Sequence, residues 1–152
     1  MRRASSYVVA LACLSLAAAG SLKPAWSQAA SSTTAAPSLD YEFFKAKVEP
    51  VFLVKRPGHA RCVVCHTFNN APFHLVRLSP GSTTWNDEQS RRNFELVQKV
   101  AQPGFEGSKL VVHPLAEEAG GDPHHGGGQQ FGSQDDPDWL TLKEFVLGAK
   151  LK

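Results

Sequence analysis

The chain has 152 residues, 42% of them hydrophobic, with 16 Lys and Arg against 14 Asp and Glu and a net charge of +2. That length sets one domain as the prior. No basic run, basic helix face or aromatic stripe among arginines is present, so no nucleic-acid partner is expected.

The first element is read as a leader. Arg2 and Arg3 precede an apolar run from Tyr7 to Ala19, and Ala25-Trp26-Ser27 offers small side chains at the two positions a signal peptidase reads. The run falls short of the ~18 residues a membrane span requires, which favours a cleaved secretory signal over residues 1–27 rather than a retained anchor. Export would place the mature chain in the periplasm or outside the cell. Cys13 lies inside the apolar run, too early for a lipid-modified cysteine. Losing Arg2, Arg3 and Lys23 leaves the basic residues one short of the 14 acidic ones, so the mature chain is near neutral. Two cysteines then remain, Cys62 and Cys65, which an oxidising compartment would pair unless another chemistry used them first.

Residues 28–38, rich in Ala, Ser and Thr, read as a flexible linker. The folded domain is expected over residues 39–152. Its first helix begins after Asp40, a capping residue. Phe43, Phe44, the Lys47 stem, Val51 and Phe52 recur near helical spacing, Pro50 predicts a kink or break, and Arg56-Pro57-Gly58 predicts the end. The Cys62–His66 motif and a polar, proline-containing stretch over residues 69–81 follow. The longest predicted helix covers residues 84–101, with Thr84 and Asp87 spaced as in a capping box. Phe94, Val97 and Ala101 form its apolar face. A short helix is predicted over residues 108–115, then a glycine- and histidine-rich loop over 119–134. Asp136 caps the last helix, with Pro137 at the favoured first position and Trp139, Leu142, Phe145, Val146 and Ala149 on one face. Trp139 is expected in the core, against Phe43, Phe44 or Phe52. No segment alternates with period two for long, so the fold class is all-α with four to five helices.

Cys62-Val63-Val64-Cys65-His66 is a C-x-x-C-H sequence, the signature of covalent haem c attachment. Two thiols on one tight turn reach the two vinyl groups along a haem edge, and the histidine directly after them lies under the iron. Cys62 and Cys65 are thus the candidate thioethers and His66 the proximal iron ligand. Three other readings use the same residues. A thioredoxin-like redox pair would want a βαβ pattern that is missing here. A zinc site would add two of His113, His124 and His125. A structural disulfide would close too short a loop to constrain the unfolded chain much.

The only methionine is Met1, within the leader. Histidine–methionine ligation, common in high-potential haems, is therefore not expected. The sixth position falls to a histidine, to another nitrogen donor such as a lysine, or stays open. His59 and His74 read as solvated loop histidines. His113, after an apolar run and before Pro114, is placed to face inward, towards iron or a haem carboxylate. His124 and His125 stand among glycines that allow close backbone approach.

Beyond the motif, the runs Ser90-Arg91-Arg92-Asn93-Phe94-Glu95, Pro103-Gly104, Ser108-Lys109-Leu110 and His113-Pro114-Leu115-Ala116 resemble the planctomycete-type cytochrome c domain. Ala119-Gly120-Gly121-Asp122, His125-x-Gly127-Gly128 and Asp136-Pro137-x-Trp139 share the resemblance, which covers nearly all of residues 39–152. It implies a cytochrome c-like fold around one covalent haem and redox chemistry outside the cytoplasm. In that fold the distal ligand sits on a loop shortly before the last helix, often as methionine. His125 occupies that place, which ranks the distal candidates His125, then His113, then His124. The expected function is a non-enzymatic electron carrier with bis-histidine iron, exchanging electrons with redox partner proteins such as a membrane or periplasmic oxidoreductase. The alternative is a haem with an open or weak sixth site that binds a gas or reduces peroxide, and a third reading is a structural domain of a larger enzyme.

Overall fold

The computed structural model describes residues 36–68 and 73–152. The leader assigned to residues 1–27 and all but the end of the linker lie outside the described residues. Among those described there are five helices and no strand, and no helix is long and apolar enough to cross a membrane.

Helix α1 runs through Tyr41–Phe43, a π-helical turn Phe44–Val48 and Glu49–Leu53. Asp40 caps it, its Oδ1 accepting from the Phe43 N–H at 2.8 Å. Pro50 neither stops nor sharply breaks the helix. It has no N–H to donate, and the chain absorbs the missing bond in the wider turn just before it, where the Glu49 N–H reaches back to Phe44 O. The helix ends at Leu53, before the predicted Arg56-Pro57-Gly58, because Val54 already turns to an extended ψ of 135°.

Helix α2 is the single turn Cys62–Cys65, and α3 is Asp87–Val97. The predicted start of α3 is corrected by one turn. Asn86 and Gln89, not Thr84 and Asp87, form the capping box, with the Gln89 N–H on Asn86 Oδ1 at 2.9 Å and the Asn86 N–H on Gln89 Oε1 at 3.1 Å. Trp85 explains the shift: it is buried outside the helix, its indole N–H donating to Val76 O at 2.7 Å. After Val97 the bonds tighten to three-residue spacing, Lys99 to Leu96 and Val100 to Val97, and the helix stops short of residue 101.

Helix α4 is one turn, Lys109–Val112, and α5 is Pro137–Val146. Asp136 caps α5, its Oδ1 accepting from the N–H groups of Asp138 and Trp139, with Pro137 at the first position as expected. Trp139 is in the core, but its indole N–H bonds Val111 O on α4 at 3.0 Å. The aromatic contacts with α1 are made by Phe145, whose ring centre lies 6.4 Å from Phe43 and 5.8 Å from Phe44. Phe44 also meets Phe94 of α3 at 5.4 Å, so the rings of α1, α3 and α5 form one apolar centre.

The α1–α3 contact also buries polar groups that hydrophobic periodicity does not reveal. Glu49 is only 6% exposed and accepts from Ser90 Oγ at 2.9 Å, while Asn93 Oδ1 accepts from the Val76 N–H at 2.7 Å. Burial raises the Glu49 carboxyl above the usual range, against the opposing bond from Ser90. The folded chain therefore holds this proton more tightly than the unfolded one. Glu49's contribution to stability is largest below the unfolded value and falls as pH rises through the folded one. Glu49→Gln should raise the melting temperature at pH 7, and the gain should vanish as the pH is lowered towards 4. An equal gain at both values would mean that charge burial is not its source.

Candidate functional site

The single turn α2 puts Cys62 and Cys65 three residues apart, and the His66 N–H closes it on Cys62 O at 2.9 Å. His66 O then accepts from the N–H of fully buried Leu75 at 2.6 Å, which ties the motif to the segment leading into α3. The turn borders two adjoining cavities of about 310 and 330 Å³. Both are lined by Cys62, His66, His113, His125 and Gln130; Cys65 borders the second. The first is walled mainly by apolar side chains from every part of the fold: Phe52 of α1, Val100 after α3, Leu110 of α4, Phe131 of the loop before α5 and Leu142 of α5.

Three imidazoles converge here with the same ring nitrogen engaged. His66 Nδ1 lies 2.8 Å from Phe73 O and His125 Nδ1 lies 2.7 Å from Gly128 O. A carbonyl oxygen only accepts, so each Nδ1 carries the proton and each Nε2 keeps its lone pair. His113 Nδ1 likewise donates to the Asp122 carboxylate at 3.1 Å, which leaves Nε2 turned away from that partner. Backbone carbonyl or carboxylate support of one imidazole nitrogen is the usual way a metal-binding histidine is oriented at the other. The ring centres of His66 and His125 are 6.1 Å apart, and those of His125 and His113 4.9 Å. Burial pushes the pKa of both His66 and His125 down, so both rings are neutral at neutral pH.

The glycine loop is placed by its stem. Phe131 forms an isolated parallel bridge with Leu115, and the Gln130 and Phe131 N–H groups both donate to Pro114 O. Gly121 allows the chain to fold back there: a side chain on it would stand 1.9 Å from Leu115 O. Gly127 passes over the Cys62–Cys65 turn, where a Cβ would lie 3.8 Å from Cys65 Sγ. The loop thus carries His125 into the cavity while its glycines stay at the surface. His124 beside it is exposed and lines neither cavity, and His59 and His74 line neither as well.

Sequence reasoning placed Cys62, Cys65, His66, His113 and His125, and the fold brings all five together. It missed their supports. Phe73 sits in an unpatterned stretch, and Asp122 and Lys109 were given no role at the site. Lys109 lines the cavity and pairs with Asp122, whose carboxyl this lysine holds below the usual range. No short motif marks a carboxylate nine residues after a histidine as its partner.

Cys62 and Cys65 are free thiols, and burial pushes Cys62 up to about 11. A redox-active pair requires the opposite, a thiol lowered towards neutral pH. Among the described residues no three His, Cys, Asp or Glu side chains are grouped so as to hold a metal ion by themselves, whereas a structural zinc site takes four such ligands. No protein-family model, no curated protein and no solved structure matches the chain.

Proposed function

We propose that this protein is an exported mono-haem c-type cytochrome that carries electrons, with its iron held between His66 and His125. The observation that carries the reading is the pair of neutral imidazoles lining two adjoining cavities, the first walled mainly by apolar side chains and the second bordered by both thiols of a C-x-x-C-H turn. The group fits these residues. His66 and His125, whose ring centres stand 6.1 Å apart with each Nδ1 held by a backbone carbonyl, would supply two nitrogen donors to such a group. Cys62 and Cys65 would hold the haem covalently, which prevents its loss outside the cytoplasm.

Bound there, haem supplies an iron that gains and loses one electron reversibly. The chain's own contribution is to fix and insulate it. Phe73 O and Gly128 O hold the two imidazoles in one tautomer, and Phe52, Leu110, Phe131 and Leu142 keep water from the centre. Exposed Cys65 leaves the attachment edge open to a redox partner protein, such as a membrane or periplasmic oxidoreductase. Two nitrogen donors favour ferric iron more than a nitrogen and a thioether do, so the potential should lie below that of histidine–methionine cytochromes.

The test is an absorption spectrum of the mature protein made in a host that attaches haem, oxidised, reduced and reduced with carbon monoxide. A covalent low-spin haem that carbon monoxide leaves unchanged is the expected result. A high-spin spectrum that shifts with carbon monoxide would transfer the protein to gas binding or peroxide chemistry. A protein that takes up no haem would end the reading and make zinc the next group to assay.

A further inference from the structure

Only one imidazole can complete the iron opposite His66, yet two stand beside each other on that side of the fold. His125 and His113 both line the two cavities, their rings 4.9 Å apart and nearly perpendicular at 77°. Each has Nδ1 engaged and Nε2 free. Their mountings differ. His125 is held by a carbonyl three residues away in its own loop, next to Gly126, Gly127 and Gly128, all exposed. His113 closes helix α4, its N–H on Lys109 O at 3.2 Å. Its ring is held by Asp122, which is itself anchored through its N–H to Val112 O at 3.0 Å and through its carboxylate to Lys109. One imidazole sits on a loop held by its own backbone, and the other at the end of a helix with a carboxylate brace.

We infer that the sixth position is served by two imidazoles, His125 in the resting protein and His113 when His125 leaves, with Asp122 as the residue that positions His113. This rests on the haem reading above. A nitrogen ligand from either residue keeps the iron six-coordinate, so loss of His125 would not by itself open the site to a small ligand. The chain would exchange one imidazole for another of different hydrogen bonding, carbonyl-bound for carboxylate-bound. An imidazole donating to a carboxylate is the more electron-rich ligand, so the His113-ligated form should have the lower potential.

The experiment uses haem-loaded protein with His125→Ala, His113→Ala, both together, and His125→Ala with Asp122→Ala. The spectrum, the potential and carbon monoxide binding are measured on each. The expected result is a low-spin spectrum for His125→Ala, with a lowered potential, and a high-spin spectrum for the double histidine variant. If His113 occupies the iron in all but about 1% of molecules, carbon monoxide binds His125→Ala about 100-fold more weakly than the double variant. Removing Asp122 in the His125→Ala background should raise the high-spin fraction. Free imidazole should return the double variant to low spin, which shows that its pocket is intact. A His125→Ala protein already high-spin and open to carbon monoxide would overturn the inference and leave the haem reading standing. So would a double variant that stays low-spin. Failure of every variant, and of the parent chain, to bind haem would instead defeat the reading on which the inference rests.

Discussion

Replacing Cys62 and Cys65 together with alanine should yield a protein that releases all of its haem into acidified organic solvent, where the parent chain retains all of it. The two thiols are the only cysteines among the described residues, so no other side chain there is available to form the thioethers. The non-covalent contacts remain, because His66 and His125 keep their supports at Phe73 and Gly128. The variant can therefore still bind haem reversibly, and its affinity falls by the effective concentration that a tether provides, of order millimolar or more for a short link. Single replacements should each keep one bond and stay covalent. Cys62 is the more buried thiol and Cys65 the exposed one, so Cys65→Ala disturbs packing less. Mass spectrometry of the denatured protein reads the outcome directly. A double variant that still carries covalent haem would refute the assignment of the attachment turn.

The second large effect is on stability. Phe44 is 0% exposed and meets Phe52, Phe94 and Phe145 at ring-centre distances of 5.4 to 6.4 Å. It is where α1, α3 and α5 come together. Truncation to alanine removes the ring's transfer energy and leaves a cavity among side chains from three elements. Such changes cost about 3–5 kcal/mol, a large share of the roughly 5–15 kcal/mol by which a small domain is stable. Denaturant unfolding should show the midpoint falling with little change in slope. Leu140→Ala on the solvent side of α5, where the side chain is 40% exposed, should stay within about 0.5 kcal/mol. Comparable losses from the two variants would mean that the aromatic centre is not the core of the fold.

How far the sequence carries depends on the kind of signal. The last helix was legible to the residue at its start, because Asp136 and Pro137 are local devices that act through their own backbone. The start of α3 was read one turn early, because Thr84 offers the same local chemistry as Asn86. Burial of Trp85, a tertiary effect, chose between them. Pro50 shows the same division. Its missing donor is certain from the sequence, while the π turn before it is seen only in the fold.

The attachment turn belongs to the first kind of information. Cys62, Cys65 and His66 lie within five positions of one another, so one turn of helix suffices to place them. The missing methionine is equally a property of composition. The distal side belongs to the second kind. His113 and His125 are twelve positions apart, and only the fold of the chain at Gly121 and the pairing of Leu115 with Phe131 set their rings side by side. Their supports, Asp122 and Gly128, and the apolar walls drawn from three helices and the segments between them have no spacing that could announce them. By itself the sequence determined the local chemistry, which is carried by neighbouring residues. The tertiary structure decided which distant side chains share a cavity, because that depends on how the helices bury their apolar faces against one another.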